Sequence, residues 1–158
     1  MSEATDAFLA TREREGENLA ADVREKVRRI SETVDRVEVL SADSVTTYRE
    51  RLAEKIREAL ADNRIQPDES RILTECAIFA DKVAVDEELV RLRTHFAALE
   101  QILESGEPVG RKLDFLLQEM NRETNTIGSK ASDSQIAYMV VDIKAEIEKI
   151  REQIQNIE

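Results

Sequence analysis

Glycine and proline are scarce, with four and two in 158 residues. A β-sandwich or barrel needs a turn about every 8–12 residues, usually marked by Gly, Pro or Asn. A dinucleotide or P-loop domain needs glycines clustered at its phosphate turn, and no such cluster is present. Tryptophan is absent and aromatics make up 4% of the chain, so an aromatic platform for stacking nucleobases is not expected. The single cysteine, Cys76, excludes an internal disulfide; set among Ile72, Leu73, Ala77, Ile78 and Phe79, it reads as a small buried hydrophobe. The single histidine, His95, cannot build a His-rich zinc centre, and no HExxH motif occurs. No apolar run approaches the ~20 residues of a membrane span. The polar, acidic stretch from Met1 to Gly16 does not read as a secretory leader. A cytoplasmic location without membrane contact is the expectation.

What is abundant is charge on an apolar frame: 36% charged against 41% hydrophobic residues, the mixture of amphipathic helices. The 23 basic and 34 acidic side chains leave a net charge of −11. Nonspecific nucleic-acid binding draws on Lys and Arg neutralising phosphates, so the bulk charge counts against it.

Apolar positions 19, 23, 27, 30, 34 and 37 form one helical stripe within Ser2 to Leu40. Val39 to Asp43 reads as a turn, with Ser41 or Asp43 as a cap. A second helix then carries Val45, Tyr48, Leu52, Ile56 and Leu60, giving a helical hairpin arm over residues 1–62. Asn63 to Pro67 is the clearest linker, and Pro67 with Asp68 and Glu69 reads as a helix start. The remainder, 67–158, is a polar-motif helical core. A short helix runs to about Ala80, with a break within Asp81 to Asp86. A helix bearing Leu89, Leu92, Phe96, Leu99 and Leu103 follows and stops at Ser105-Gly106. Pro108 opens the next helix, with Leu113, Leu116, Leu117 and Met120 inward and Gly128 as its end. Ser132 to Gln135 fits a capping box. The last helix repeats Ile136, Val140, Ile143, Ile147, Ile150, Ile154 and Ile157 at coiled-coil spacing, so it wants a partner helix, in this chain or another subunit. The fold class is all-α, an elongated domain of five to six helices with long antiparallel helical hairpins.

Three features bear on chemistry. His95 shares a helix face with Glu88 and Arg91, where the plain reading is a solvated flank and the functional one a general base or metal ligand. Asp81, Asp86, Glu87 and Glu88 form an acidic cluster; such runs are usually solvated surface, though carboxylates suit Mg²⁺ and Mn²⁺. From Val109 to Lys130 the balance is four basic to three acidic, the only segment not clearly acidic. Its Asn121, Thr124, Asn125 and Thr126 are mediocre helix formers, which a helix selected only for stability would not use. Arg111, Gln118, Arg122 and Asn125 fall on one face, and Lys112, Glu119 and Glu123 line a neighbouring strip.

The segments ESRILTECAIFADKVAVDEELVRLRTHF, GRKLDFLLQEMNRETNTIGSKASD and EIEKIREQIQNIE closely resemble the C-terminal region of the bacterial YicC family, over essentially the whole chain. Members of that family are described as stress-induced endoribonucleases that form ring-like hexamers enclosing RNA and depend on divalent metal. Full members carry an α/β domain ahead of this region, so the resemblance implies a fragment lacking that domain. The matching polar positions are Glu75, Asp81, Glu87, Glu88, Arg91 and His95, then Lys112, Asp114, Gln118, Glu119, Asn121, Arg122, Glu123, Asn125, Thr126 and Lys130.

On this footing the expected catalytic residues are His95, Glu119, Arg122 and Glu123. Glu87, Glu88, Glu119 and Glu123 are expected to hold a divalent ion, Mg²⁺ or Mn²⁺, acting as Lewis acid. Arg91, Lys112, Gln118, Asn121, Asn125, Thr126 and Lys130 are expected to bind RNA, with no role for DNA and with a homo-oligomer, a hexamer for the full-length family, as the working assembly. The rival expectation is a helical oligomerisation or scaffold module whose chemistry lies in the absent domain. An acidic nucleic-acid mimic is a minor third, because acids alternate with bases along the helices.

Overall fold

The computed structural model describes residues 2–61, 66–106 and 110–156, and among them every regular element is an α-helix. There are five: α1 (Ser2–Ala59), α2 (Glu69–Val83), α3 (Asp86–Glu104), α4 (Gly110–Lys130) and α5 (Ser134–Gln155).

The expected turn at Val39 to Asp43 does not form, and α1 passes through it as one helix of 58 residues. No Gly or Pro interrupts α1 after Gly16. The polar residues that resemble a cap turn back onto their own helix instead. Ser44 Oγ donates to the Ser41 carbonyl at 2.7 Å and Thr47 Oγ1 to the Asp43 carbonyl at 3.1 Å. The hairpin partner of this half of α1 is therefore α2, clasped by Tyr48 and Phe79, whose rings stack at 3.9 Å between centroids. The stripe of Ile72 and Cys76 is buried.

The other half of α1 belongs to a four-helix bundle rather than a separate arm. It packs on α3 and α5, while α4 packs on both of those, closing a ring of neighbours. Ion pairs fix the directions. Arg24 meets Glu100 and Arg93 meets Asp35, so α1 and α3 are antiparallel. Lys130 meets Glu88 and Arg151 meets Asp114, so α4 runs antiparallel to α3 and to α5. The core joins Val23, Ile30, Val34 and Val37 of α1 to Leu89, Leu92 and Leu99 of α3, Leu117 and Met120 of α4, and Ile136 to Ile154 of α5. Each such branched side chain contributes about 2 kcal/mol on burial. The isoleucine seam of α5 thus finds its partners within this chain, in α1 and α4; Ile157 lies outside the described residues.

The ends follow local chemistry. Asp68 caps α2 by accepting from the Ser70 N–H at 3.0 Å, which places Pro67 before the helix rather than inside its first turn. The expected break falls at Ala84 and Val85. Past α3, Gly106 takes φ +65°, the left-handed conformation that ends a helix. Pro108 and residues 63–65 of the expected linker lie outside the described residues. Gly128 does not end α4, which runs on to Lys130. A Cβ there would stand 3.1 Å from Val140 Cγ1, so the glycine serves the close approach of α4 and α5. Asp133 caps α5, accepting from the Gln135 N–H at 2.7 Å.

Candidate metal centre on the α3–α4 seam

The polar residues singled out on α3 and α4 meet where the two helices run antiparallel. Glu88, Arg91 and His95 follow one another at steps of three and four, and so share a face of α3. Glu119, Glu123 and Lys130, at steps of four and seven, share a face of α4 beside the buried Leu116, Met120 and Ile127. Pairing across the seam runs in reverse order. Lys130 Nζ binds Glu88 Oε1 at 2.6 Å. Arg91 Nη1 lies 3.6 Å from Glu123 Oε1 and is also ion-paired with Glu87. His95 closes the row opposite Glu119 and Glu123.

One ligand atom from each of His95, Glu119 and Glu123 lies within 4.8 Å of the other two. His95 and Glu119 are half-buried and Glu123 is 6% exposed. Three such donors, one imidazole nitrogen and two carboxylate oxygens, are close enough together to hold one cation. The donor chemistry fits a divalent ion. Carboxylates suit Mg²⁺ and Mn²⁺ alike, and an imidazole nitrogen suits a transition metal.

The expected residues divide accordingly. His95, Glu119 and Glu123 come together. Glu87 and Glu88 do not join them: Glu87 is exposed beside Arg91, and Glu88 is buried at 4% exposure against Lys130, with its Oε2 lacking a protein partner. Both stand in the first turn of α3, where the helix dipole favours acids. Arg91 is tied to two carboxylates rather than free for phosphate. Arg122 and Asn125 stand exposed on the outer flank of α4, outside the trio, as does Gln118, which donates to Asp114 at 2.9 Å. Asn121 is half-buried, and Thr126 Oγ1 donates to the Arg122 carbonyl at 3.2 Å. Lys112 is exposed, two turns before Glu119. Glu75 and Asp81 stand exposed on α2, which packs on α1.

Sequence periodicity placed Glu119 and Glu123 on one strip and His95 on a face with Glu88 and Arg91, but did not bring the two strips together. The signal for that was the short connection after Glu104, since connections of a few residues join antiparallel neighbours.

The molecule is thus an all-helical bundle with a His–Glu–Glu cluster on one interhelical seam. The family model described as "Endoribonuclease YicC-like, C-terminal" matches residues 37–158. Two curated relatives, each named "Probable endoribonuclease YicC", align along nearly the full chain. That of Clostridioides difficile (strain 630) is 47% identical over 156 residues, 97% of this chain and 53% of the relative. That of Haemophilus influenzae (strain ATCC 51907 / DSM 11121 / KW20 / Rd) is 38% identical over 151 residues, 96% of this chain and 51% of the relative. The chain belongs to the YicC-like family and corresponds to its C-terminal region. It spans about half the length of these relatives. No helix among the described residues is long and apolar enough to cross a membrane.

Proposed function

We propose that this chain carries the metal-binding part of an endoribonuclease centre, with RNA as substrate. The observation that carries the reading is the His95–Glu119–Glu123 cluster, on a chain whose relatives are named as probable endoribonucleases. His95, Glu119 and Glu123 would hold a divalent cation, which when bound would supply Lewis-acid stabilisation of the phosphate. Arg91 neutralises part of the charge on Glu123 and orients it toward the cluster. Lys130 and Glu88 pin the end of the seam. Arg122 and Lys112 hold substrate phosphates from the exposed flank, with Gln118 and Asn125 beside them as hydrogen-bonding groups. The net charge of −11 is met locally by the cation and by the basic flank of α4. Assembly into a hexamer is part of the same proposal, and light scattering measures it.

The test is cleavage of an end-labelled structured RNA with Mn²⁺, with Mg²⁺ and with chelator. His95→Ala and Glu119→Ala run in parallel. Metal-dependent cutting that drops by at least ~100-fold in either variant is the expected result. Cutting that persists in chelator or in both variants would overturn it. Activity that appears only in the full-length relative, and is untouched by these substitutions, would favour the scaffold reading instead.

A further inference from the structure

One turn beyond Glu119, toward the start of α4, the α3–α4 seam opens into a groove of about 610 Å³. Its floor is Ala98, Ile102 and Leu116, and its walls carry Phe115, Arg111 and Lys112. Phe115 is 60% exposed although it lies on a helix whose other large apolar side chains are buried. It stands four residues before Glu119, about 6 Å along the helix axis.

The two cations are not explained by the fold. Arg111 and Lys112 sit in the first turn of α4, where the helix dipole disfavours positive charge and no acidic side chain is present. Neither makes an ion pair among the described residues. Asp114, the nearest acid on the same helix, is held by Arg151 at 3.2 Å and by Gln118 at 2.9 Å. An exposed aromatic face one turn from two uncommitted cations at a positive helix end attracts a flat ring joined to anions. That is the chemistry of a nucleotide in a single strand: base–aromatic stacking with Lys and Arg on the phosphates.

We infer that this groove is a subsite for an unpaired nucleotide of the RNA, with its base on Phe115 and its flanking phosphates on Arg111 and Lys112. The inference rests on the RNA reading above and adds a preference to it. A base-paired nucleotide keeps its ring inside the duplex and cannot lie on Phe115, so the subsite selects single-stranded RNA next to the metal centre. The low aromatic content argued against a stacking platform. A lone Phe off the Leu113, Leu116, Leu117, Met120 stripe is the sequence signal that stood against that argument.

The experiment measures binding of a short fluorescent oligoribonucleotide in chelator, as a single strand and as the duplex with its complement, so that no cleavage occurs. Phe115→Ala should weaken single-strand binding by roughly tenfold or more and leave duplex binding unchanged, while Phe115→Trp restores it. Arg111→Gln and Lys112→Gln should each reduce the slope of log affinity against log salt by about 0.7. Tyr138→Ala, at a still more exposed aromatic on α5, should change nothing. Melting temperatures of all variants should match the parent, since these side chains are on the surface. Single-strand binding indifferent to Phe115→Ala, or loss shared equally by duplex, would overturn the subsite while leaving Mn²⁺-dependent cleavage intact. A change in oligomeric mass on Phe115→Ala with unchanged RNA binding would assign the groove to a protein contact and overturn it too. Absence of any RNA binding by the chain would overturn both readings.

Discussion

Helix α3 has two polar flanks, and they are built differently. Toward α1, three acids meet two cations in the open. Arg93 donates to Glu38 at 2.6 Å and to Asp35 at 2.8 Å, and Arg24 meets Glu100 at 2.7 Å. Arg93 holds Glu38 below its ordinary carboxylate range and is itself held further toward the charged form by Glu38, then Asp35. Toward α4 the same three-to-two count is carried by acids withdrawn from water. Glu88, Glu119 and Glu123 face Lys130 and Arg91, and two of the three acids are buried. A flank made only to hold helices together resembles the first, since exposed pairs cost little to form and little to lose. Burying carboxylates without a full set of cations costs stability, and a bound cation is one means of offsetting it.

The largest effect that bears on this contrast concerns the core behind both flanks. Leu92 is fully buried between them, and Leu92→Ala should cost about 2–5 kcal/mol in chemical denaturation. A loss well under that range would mean that the helices repack and the seams are not rigid.

Paired substitutions separate the two flanks of α3. Lys130→Met leaves Glu88 buried without its cation, and should cost about 2 kcal/mol, reduced from the fully buried case because the lysine is partly exposed. Arg93→Met, on the other flank, should cost a small fraction of that. Equal losses would erase the distinction between the seams.

Acid separates the regions by another route. Glu25, also on α1, is held at about 2 rather than its ordinary 4.5, by hydrogen bonds from Arg28 and then Arg29. Its folded value is lowered, so the stability it contributes is present above the unfolded value of 4.5 and is lost as pH falls toward 2. Glu38 follows the same direction. Thermal melts from neutral pH downward should show the parent losing its advantage over Glu25→Gln across that window. An advantage that survives at the acid end would contradict the assignment.

The smallest effect is at the turn into α5. Asp133→Ala removes the cap on Gln135 N–H and should cost about 1 kcal/mol, with metal binding unchanged. Altered metal binding would show that the turn reaches the seam.

Much of this architecture was legible from spacing. The stripes through Val23 to Val37, Leu89 to Leu103 and Ile136 to Ile154 named the buried residues, and the scarcity of Gly and Pro named the class. The continuous α1 was not legible, because Ser41, Asp43 and Ser44 suit a cap and a helix alike. The tertiary clasp of Tyr48 on Phe79 accompanies the helical choice. Gly128 misled for a similar reason: a glycine that stops a helix and one that admits a neighbouring helix look the same in sequence. At the site, Glu119 and Glu123 stood out as a strip, but their convergence on His95 depends on which helices become neighbours, which periodicity does not encode.

If His95, Glu119 and Glu123 act together, they act on one ion. Titration of the chain with Mn²⁺, followed by the paramagnetic signal of the free ion, tests it directly. One ion should bind per chain, with affinity reduced roughly tenfold or more by His95→Ala and by Glu123→Gln, in chains that melt as cooperatively as the parent. Binding that is absent, or equally tight in both variants, would contradict it.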